Sequence, residues 1–259
     1  MQREAAVQER MRLAVERSLA PRLAREFNRT AVAASKAYRA SASVEAVDLA
    51  MQGHADRLAK LLRRAYAPTI QQTADRVADE AKKLKPKGGD PRLEQKDEQG
   101  VVDTLIKDWI LTTAFEHATS MAKTSQDLVR SAVLDSVQSG LGEVEVGKAI
   151  REALGGSISV QRSRLIARTE THTAAQQASL AVVDSLDLPP TKKRWVPVSD
   201  ARTREHHREM RGKPAIERDE AFQVGGHALQ YPGDENGPAS EVINCRCVMV
   251  YDVDVEAML

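Results

Sequence analysis

The first 84 residues carry a hydrophobic pattern with helical spacing. In TIQQTADRVADEAKKL, which covers 69–84, apolar or small residues recur every three or four positions. A similar stripe runs through 44–62, with Pro68 after its end, and Pro21 is expected near the start or a break of a helix. This spacing puts the apolar side chains on one face of each helix, so the N-terminal region is predicted to be helical.

Residues 85–100 break this pattern. The sequence KPKGGDPRLEQKDEQG combines prolines, glycines and dense charge with almost nothing apolar, which is typical of a flexible linker. Helical spacing then returns over about 101–140. Further helices are predicted from near Glu143 and from near Ser159, separated by the glycines that follow Leu154.

After Pro190 the pattern changes from helical spacing to alternation. KRWVPVSD predicts a strand, ARTREHHREMRG a turn and short helix that Asp200 caps and Gly212 ends, and INCRCVMVYDV a last strand. One face of this last strand would carry Ile243, Cys245, Cys247 and Met249. The chain is therefore predicted to be mainly α with a small α+β C-terminal module: an elongated helical body, then a loop-rich domain with short strands.

The predicted domains follow these changes of pattern. They are an N-terminal helical region (1–84), a flexible linker (85–100), a second helical part (101–188) and the small α+β module (189–259).

Composition and charge narrow the function. Aromatic residues make up 3% of the chain and hydrophobic residues 42%, which favours close-packed helices over a deep ligand pocket. The net charge of +1 gives no general case for wrapping duplex DNA. No signal peptide is recognisable, and no apolar stretch approaches the roughly 20 residues of a membrane span. We expect assembly in a reducing cytoplasm, since two cysteines cannot organise a disulfide framework.

The two cysteines near the C-terminus offer metal-ligand chemistry. Zinc could bind Cys245, Cys247 and His207, with Asp200 or His206 as a fourth ligand. One intervening residue on an extended strand, however, leaves the two cysteine Cα atoms about 6–7 Å apart, so a shared ion would require local bending.

Three other interpretations compete with zinc. A Cys245–Cys247 disulfide would close a strained loop, and a cysteine nucleophile would need His206 or His207 as its base. The interpretation we prefer is packing: the thiols act as small buried hydrophobes, and Arg246 pairs with Asp200 or Glu170. On that interpretation no catalytic residue, cofactor or metal is expected.

The order of the motifs is more specific than any one of them. IARTETHTAAQQAS, RWVPVSDARTREHHREMRGK, FQVGG and YPGDENGPASEVINCRC follow one another, and together they resemble the phage Mu F-like family of minor head proteins. The resemblance covers about 100–252. The matching positions in this chain are Arg168, Thr169, Glu170, Trp195, Asp200, Arg202, Thr203, Arg204, His207, Gly212, Phe222, Pro232, Asn244, Cys245, Arg246 and Cys247.

The resemblance implies a structural, non-enzymatic minor head protein of a tailed bacteriophage. Such proteins are associated with the portal vertex and act in head assembly, with roles suggested in DNA packaging or ejection. The implied location is the virion head, after assembly in the host cytoplasm. A hydrolase using cysteine and histidine, or a zinc-binding module, is the alternative.

The resemblance also implies partners. These are the portal protein, with the major capsid or scaffolding protein, DNA inside the head and a second copy of the chain as further candidates, and no membrane. The family's domain also occurs joined to toxin domains, but only 248–259 follow Cys247, so we expect none here. We predict that the helical front half docks on the portal or forms oligomers, the alternative being a self-contained bundle.

Overall fold

Six long or medium helices and a small strand-containing region make up the described part of the chain. The computed structural model describes residues 2–84, 100, 103–104, 108–185 and 191–253. The helices of the body are α1 (Gln2–Ser41), α2 (Val44–Met51), α3 (His54–Leu84), α4 (Ile110–Gln138), α5 (Glu143–Leu154) and α6 (Gly156–Ser185). The C-terminal elements are β1 (Thr191–Val196), α7 (Glu205–Arg208), β2 (Ile216–Glu217), β3 (Phe222–Val224), β4 (His227–Leu229), α8 (Ala239–Val242) and β5 (Val248–Val253). The predicted fold class, mainly α with a small C-terminal α+β region, is confirmed.

Both prolines expected at helix ends lie inside helices. Pro21 is within α1 and Pro68 is within α3, and neither helix stops there. A proline removes one backbone hydrogen bond and clashes with the preceding turn. Fully buried side chains on both sides of each proline, such as Leu23 after Pro21 and Tyr66 before Pro68, fix the helix by tertiary packing.

Two compact units divide the chain. One, here called the helical unit, comprises 16–65 and 109–167. The other, here called the sheet unit, comprises 1–15, 66–108 and 168–259. Each unit combines separated stretches of sequence. The predicted domain boundaries at 84, 100 and 188 stay a prediction, and most of the predicted linker, 85–99, lies outside the described residues, as does part of the predicted helix start after 101.

The helical unit is built on apolar stripes with helical spacing. In α1, Leu19, Leu23 and Phe27 recur every four residues and are buried. Their counterparts from the other helices of this unit are Val47, Met51, Leu58, Leu62, Ala114, Ala118, Val129, Val133, Val146, Ile150 and Leu154. Many of these are alanine or valine, which allows close approach of helices in a chain that has few aromatic residues.

Charged groups inside the helical unit are paired. Glu26 is 8% exposed and accepts a hydrogen bond from Arg57 Nε at 2.6 Å, with His54 Nδ1 at 3.1 Å. Arg162 lies over the Phe27 ring at 4.5 Å and donates to the Met121 carbonyl. Glu26 and Arg162 therefore each have a partner that offsets part of the lost hydration.

The sheet unit contains a three-stranded antiparallel sheet in the order β2–β1–β5. Its register places Trp195 opposite Met249 and Lys193 opposite Tyr251. The predicted strand around Trp195 is thus confirmed as β1. Strands β3 and β4 form a separate hairpin. The core beside this sheet consists of Trp195, Met210, Phe222, Val224, Leu229, Tyr231, Cys245, Cys247 and Met249.

Glutamine side chains satisfy the backbone of Met249 on the side of β5 that faces the helices. Gln176 Oε1 accepts a hydrogen bond from Met249 N at 2.9 Å, and Gln8 Nε2 donates to the Met249 carbonyl at 3.4 Å. Gln176 Nε2 also donates to Gln8 Oε1 at 3.1 Å. Side chains of α1 and α6 thereby replace a further strand at this position.

None of the helices in the described part of the chain has an apolar stretch long enough to cross a bilayer.

We expect Ile150→Ala to destabilise the helical unit by roughly 2–5 kcal/mol, because Ile150 is fully buried and the substitution leaves a cavity. Chemical denaturation followed by circular dichroism measures the loss. Leu141→Ala is the matched control: Leu141 is 46% exposed, so its change should stay within about 0.5 kcal/mol. Equal losses for the two variants would contradict this description of the core.

Candidate functional site

The segment Ile243–Cys247 is a turn, whereas the sequence predicted the beginning of a strand. Helix α8 ends at Val242 and β5 begins only at Val248. Asn244 between them has a φ of 62°. Ile243 is 41% exposed while both cysteines are buried, so Ile243 does not share their face. The alternation of apolar residues misled the prediction, because asparagine tolerates the left-handed conformation that reverses the chain here.

Two motif residues of α6 hold Asn244 in this conformation. Arg168 donates to Asn244 Oδ1 at 2.8 Å. Thr169 Oγ1 accepts a hydrogen bond from Asn244 N at 3.0 Å. These contacts explain why the arginine–threonine pair and the distant asparagine occur together in the motif.

Arg204 binds the backbone at the start of the turn. Its Nη2 donates to the Ile243 carbonyl at 2.5 Å, and its Nη1 approaches the Glu241 carbonyl at 3.4 Å. These carbonyls stand at the end of α8, where backbone acceptors lack partners within the helix. Arg204 therefore joins the segment before α7 to the segment before the cysteines.

Asp200 and Arg246 form a bidentate ion pair. The Nη1–Oδ2 and Nη2–Oδ1 distances are 2.5 and 2.7 Å. Asp200 Oδ1 also accepts from Arg202 N at 2.9 Å, so the carboxylate orders the turn before α7 and does not cap the helix itself. The hydrogen bond from Arg246 lowers the pKa of Asp200 well below its ordinary value. Of the two partners expected for Arg246, the structure selects Asp200.

The two thiols meet at one nitrogen of His207. The distance from His207 Nδ1 is 3.3 Å to Cys247 Sγ and 3.7 Å to Cys245 Sγ. All three side chains are at most 2% exposed. Three of the zinc candidates proposed from sequence therefore lie together, and they form a group that could hold a metal ion.

Asp200 and His206, the proposed fourth ligands, are not part of this group. Asp200 is bound to Arg246. His206 is half exposed and its Nδ1 lies 3.3 Å from Glu241 Oε1.

Glu241 orients the His207 ring. Its Oε2 lies 2.9 Å from His207 Nε2, and the carboxylate is buried. Because a carboxylate can only accept, Nε2 carries a proton that it donates to Glu241, and Nδ1 faces the sulfurs. Trp195 packs edge-on against the ring with centroids 5.2 Å apart.

The two thiols have opposite pKa shifts. The hydrogen bond from Cys245 and the contact with His207 lower the pKa of Cys247 to about 5. Burial raises the pKa of Cys245 well above its ordinary value, and the neighbouring Cys247 sulfur raises it further. The Cys247 thiolate is thus stabilised by a hydrogen bond from the Cys245 thiol, and the two groups titrate as a pair.

Glu170, Gly212 and Arg202 are motif residues outside the group of thiols and imidazole. Glu170 is buried and accepts a hydrogen bond from Tyr66 Oη. Gly212 ends the turn after α7 with a φ of 76°. The Arg202 side chain is 74% exposed and its nearest carboxylate oxygen, on Asp200, is 3.7 Å away.

Sequence reasoning missed Glu241 and Gln176. Glu241 precedes the first cysteine by four residues, but nothing in the local pattern distinguishes it from a solvated glutamate on a short helix. Gln176 sits in an alanine-rich helix whose polar residues give no hint that one of them binds a strand. Only the tertiary contacts reveal both roles.

Two kinds of chemistry fit the geometry. Two sulfurs and one imidazole nitrogen form a partial tetrahedral ligand set for zinc. Cys247, His207 and Glu241 also have the order of a nucleophile, a base and an orienting carboxylate. A nucleophile must reach its substrate, and the 2% exposure of Cys247 opposes that use.

Comparison with known proteins agrees with the motif-based resemblance. The sequence model of the family described as Phage Mu protein F like protein matches residues 127–250. This range contains every motif residue from Arg168 to Cys247, and the resemblance is confirmed.

The chain is also similar to part of a protein that is named as an enzyme. NAD(+)--arginine ADP-ribosyltransferase EFV of Enterococcus faecalis (strain ATCC 700802 / V583) is 31% identical over 129 residues. The aligned part covers 49% of this chain and 26% of the relative, so the chain spans about a quarter of that protein. No solved structure matches the chain.

We expect Arg246→Ala and Asp200→Asn each to lower the thermal midpoint of the sheet unit, because each leaves a charged or polar partner unsatisfied. The double variant should lose less than the sum, since the two changes remove one shared interaction. Arg202→Ala is the control, because its exposed side chain makes only a distant contact with Asp200. Strictly additive losses would show that the pair makes no coupled contribution.

The same pair predicts a pH dependence. A carboxylate with a lowered folded pKa contributes its full stability above the unfolded value, here 3.8, and loses it as the pH falls below that value. The difference in midpoint between the wild type and Asp200→Asn should therefore be constant near neutral pH and shrink below 3.8. Thermal unfolding at a series of pH values measures it; a difference that grew on acidification would refute the assignment.

Proposed function

Because residues 127–250 belong to the family of phage Mu protein F like proteins, we propose that this chain is a structural, non-enzymatic minor component of a phage head. Within the head we place it at the portal vertex, where it acts in assembly. The family match carries the proposal. It is supported by the way the motif residues Arg168, Thr169, Asp200 and Arg204 all contribute to one closed turn.

The role of the motif residues is structural. They satisfy backbone groups and pair charges around Ile243–Cys247, and the sulfurs and the imidazole are buried beneath them. An active site would instead expose at least one reactive group to a substrate. The motif is therefore better explained as the requirement of a stable module than as a catalytic set.

The enzymatic alternative has limited support. The relative named as an ADP-ribosyltransferase aligns over only 26% of its length, so its activity does not follow for this chain. A hydrolase based on Cys247 and His207 would require the turn to open. We retain this alternative only as an outcome of the tests below.

The partner we propose is the portal protein, and the helical unit offers a surface for it. The apolar stripes of the front half, including Leu58 and Ile70, are buried within the chain's own units. Among the exposed apolar side chains of the described residues, four lie close together in sequence around the α4–α5 turn: Leu134, Val137, Leu141 and Val144 are each about half exposed. Such a patch is typical of a protein–protein contact. We therefore place portal docking there, and not on the stripes of 1–84.

Further contacts in the head belong to the same proposal. The major capsid or scaffolding protein, a second copy of the chain and packaged DNA are candidates that cross-linking would distinguish. We place the protein in the virion head after assembly in the host cytoplasm, and the match to a phage protein family supports the location in the head.

We expect the protein to be present in purified, DNA-filled particles of the phage or prophage that encodes it, at lower copy number than the major capsid protein. Quantitative mass spectrometry measures the copy number, and immunogold labelling should mark one vertex. Deleting the gene should reduce the yield of filled heads. Particles that lack the protein, with normal yield after deletion, would exclude a head function.

We expect Val137→Glu combined with Leu141→Glu to reduce incorporation into particles by about tenfold or more, because charge in an apolar contact opposes docking. Val32→Glu with Leu49→Glu is the matched control: these residues are 47% and 64% exposed in the same unit but outside the patch. Circular dichroism should show that both double variants fold. Normal incorporation of the patch variant would exclude this surface.

We expect Cys247→Ser to change particle assembly only through its effect on the stability of the protein, because the proposal gives Cys247 no catalytic role. If this variant kept its fold and assembled normally but abolished turnover of a substrate, the cysteine hydrolase would replace the structural proposal.

A further inference from the structure

We propose that Cys245, Cys247 and His207 bind a zinc ion that fixes the turn before β5. The proposal does not depend on a role in a phage head. It rests on three ligand atoms of the right chemical type, all within 4.8 Å of one another, in a buried part of the described chain.

The spacing of the ligand atoms fits zinc. Zinc–sulfur and zinc–nitrogen bonds of about 2.3 and 2.0–2.1 Å, at tetrahedral angles, put a sulfur and a nitrogen about 3.6 Å apart. The observed distances from His207 Nδ1 are 3.3 Å to Cys247 Sγ and 3.7 Å to Cys245 Sγ. Both distances are close to this value, and all three ligand atoms lie within 4.8 Å of one another.

The turn supplies the local bending that two cysteines separated by one residue need in order to share an ion. In an extended strand, cysteines separated by one residue point to the same side but are too far apart for easy sharing of an ion. Here the left-handed Asn244 bends the chain immediately before Cys245, and Arg246 between the cysteines points to Asp200. Both sulfurs are therefore directed to the imidazole.

The surroundings of His207 match those of metal-bound histidines. Such a histidine commonly donates its second ring N–H to a carboxylate, which fixes the ring and the tautomer. Glu241 occupies that position at 2.9 Å from Nε2, and is itself 5% exposed. Glu241 therefore binds Nε2 and keeps Nδ1 directed to the two sulfurs, which is the orientation that a metal ion bound at Nδ1 requires.

Charge balance also favours the ion. Two thiolates neutralise Zn²⁺, and any proton that the thiols still carry leaves to solvent on binding. The resulting group carries no net charge before Glu241 is counted, which suits a site where Cys245 and Cys247 are 1% and 2% exposed.

The fourth coordination position is not filled by a described His, Cys, Asp or Glu side chain, since the group within reach contains three ligands. The ion would join α7 to the segment before β5, two elements separated by about forty residues, so its expected effect is on the stability of the sheet unit.

The first test is metal content. The full chain, purified under reducing conditions without added metal or chelator, should contain about one zinc per chain by elemental mass spectrometry. Cys245→Ser, Cys247→Ser and His207→Gln should each lose most of it. His206→Gln is the matched control, because His206 is half exposed and lies outside the ligand group, so this variant should keep its zinc.

The second test does not depend on the folding of any variant. Zinc is removed from the wild type and Co²⁺ is added to the reduced protein. A bound cobalt should give thiolate-to-metal charge-transfer absorption and the intense d–d bands of four-coordinate cobalt, which zinc should abolish. Chelation should lower the thermal midpoint of the sheet unit by on the order of 10 °C in the wild type and have no effect in Cys247→Ser.

Two outcomes would overturn the proposal. One is reduced wild-type protein that contains no zinc and gives no thiolate–cobalt absorption. The other is full zinc content in folded Cys245→Ser or Cys247→Ser, which would place any metal elsewhere. In either case the cluster would be a buried hydrogen-bonded group of thiols and imidazole.

Discussion

The left-handed backbone at Asn244 is the constraint on which the C-terminal half depends. It ends α8, directs Cys245 and Cys247 inward to His207, and leaves Arg246 facing Asp200. A residue other than glycine at positive φ costs free energy unless its surroundings fix it. Arg168 and Thr169 supply that fixation from α6, and the backbone of the turn is bound by Arg204.

Polar contacts hold segments of the sheet unit in place where a larger protein would use more apolar packing. Lys193 is fully buried and donates to both the carbonyl and the side-chain oxygen of Gln230 at 3.0 Å. Burial lowers the pKa of this lysine, while carboxylates such as Asp184 and Asp234 favour its charged form. The whole chain has only three phenylalanines and two tryptophans. Hydrogen bonds of this kind therefore fix the positions of loops that have little apolar packing.

The sequence predicted those parts of the structure that depend on local periodicity. The helices, the strand at Trp195 and the pairing of Arg246 with an acidic partner could be inferred from spacing and from the cost of an unpaired buried charge. The turn at Asn244 could not, because the alternation of Ile243, Cys245, Cys247 and Met249 is equally typical of a strand. Nor could Glu241 be recognised, since its role arises only when α8 packs against α7.

The hydrogen bond between Gln8 and Met249 joins residues 241 positions apart, and it has a consequence for the order of folding. During synthesis the N-terminal stretch 1–15 emerges first, but its unit also contains 168–259 and is completed last. The helical unit ends at 167 and has all its residues available earlier. Until β5 leaves the ribosome, Gln8 and Gln176 lack the Met249 backbone groups that they bind in the folded chain. During that interval the part of each helix that β5 later covers is open to other chains and to chaperones.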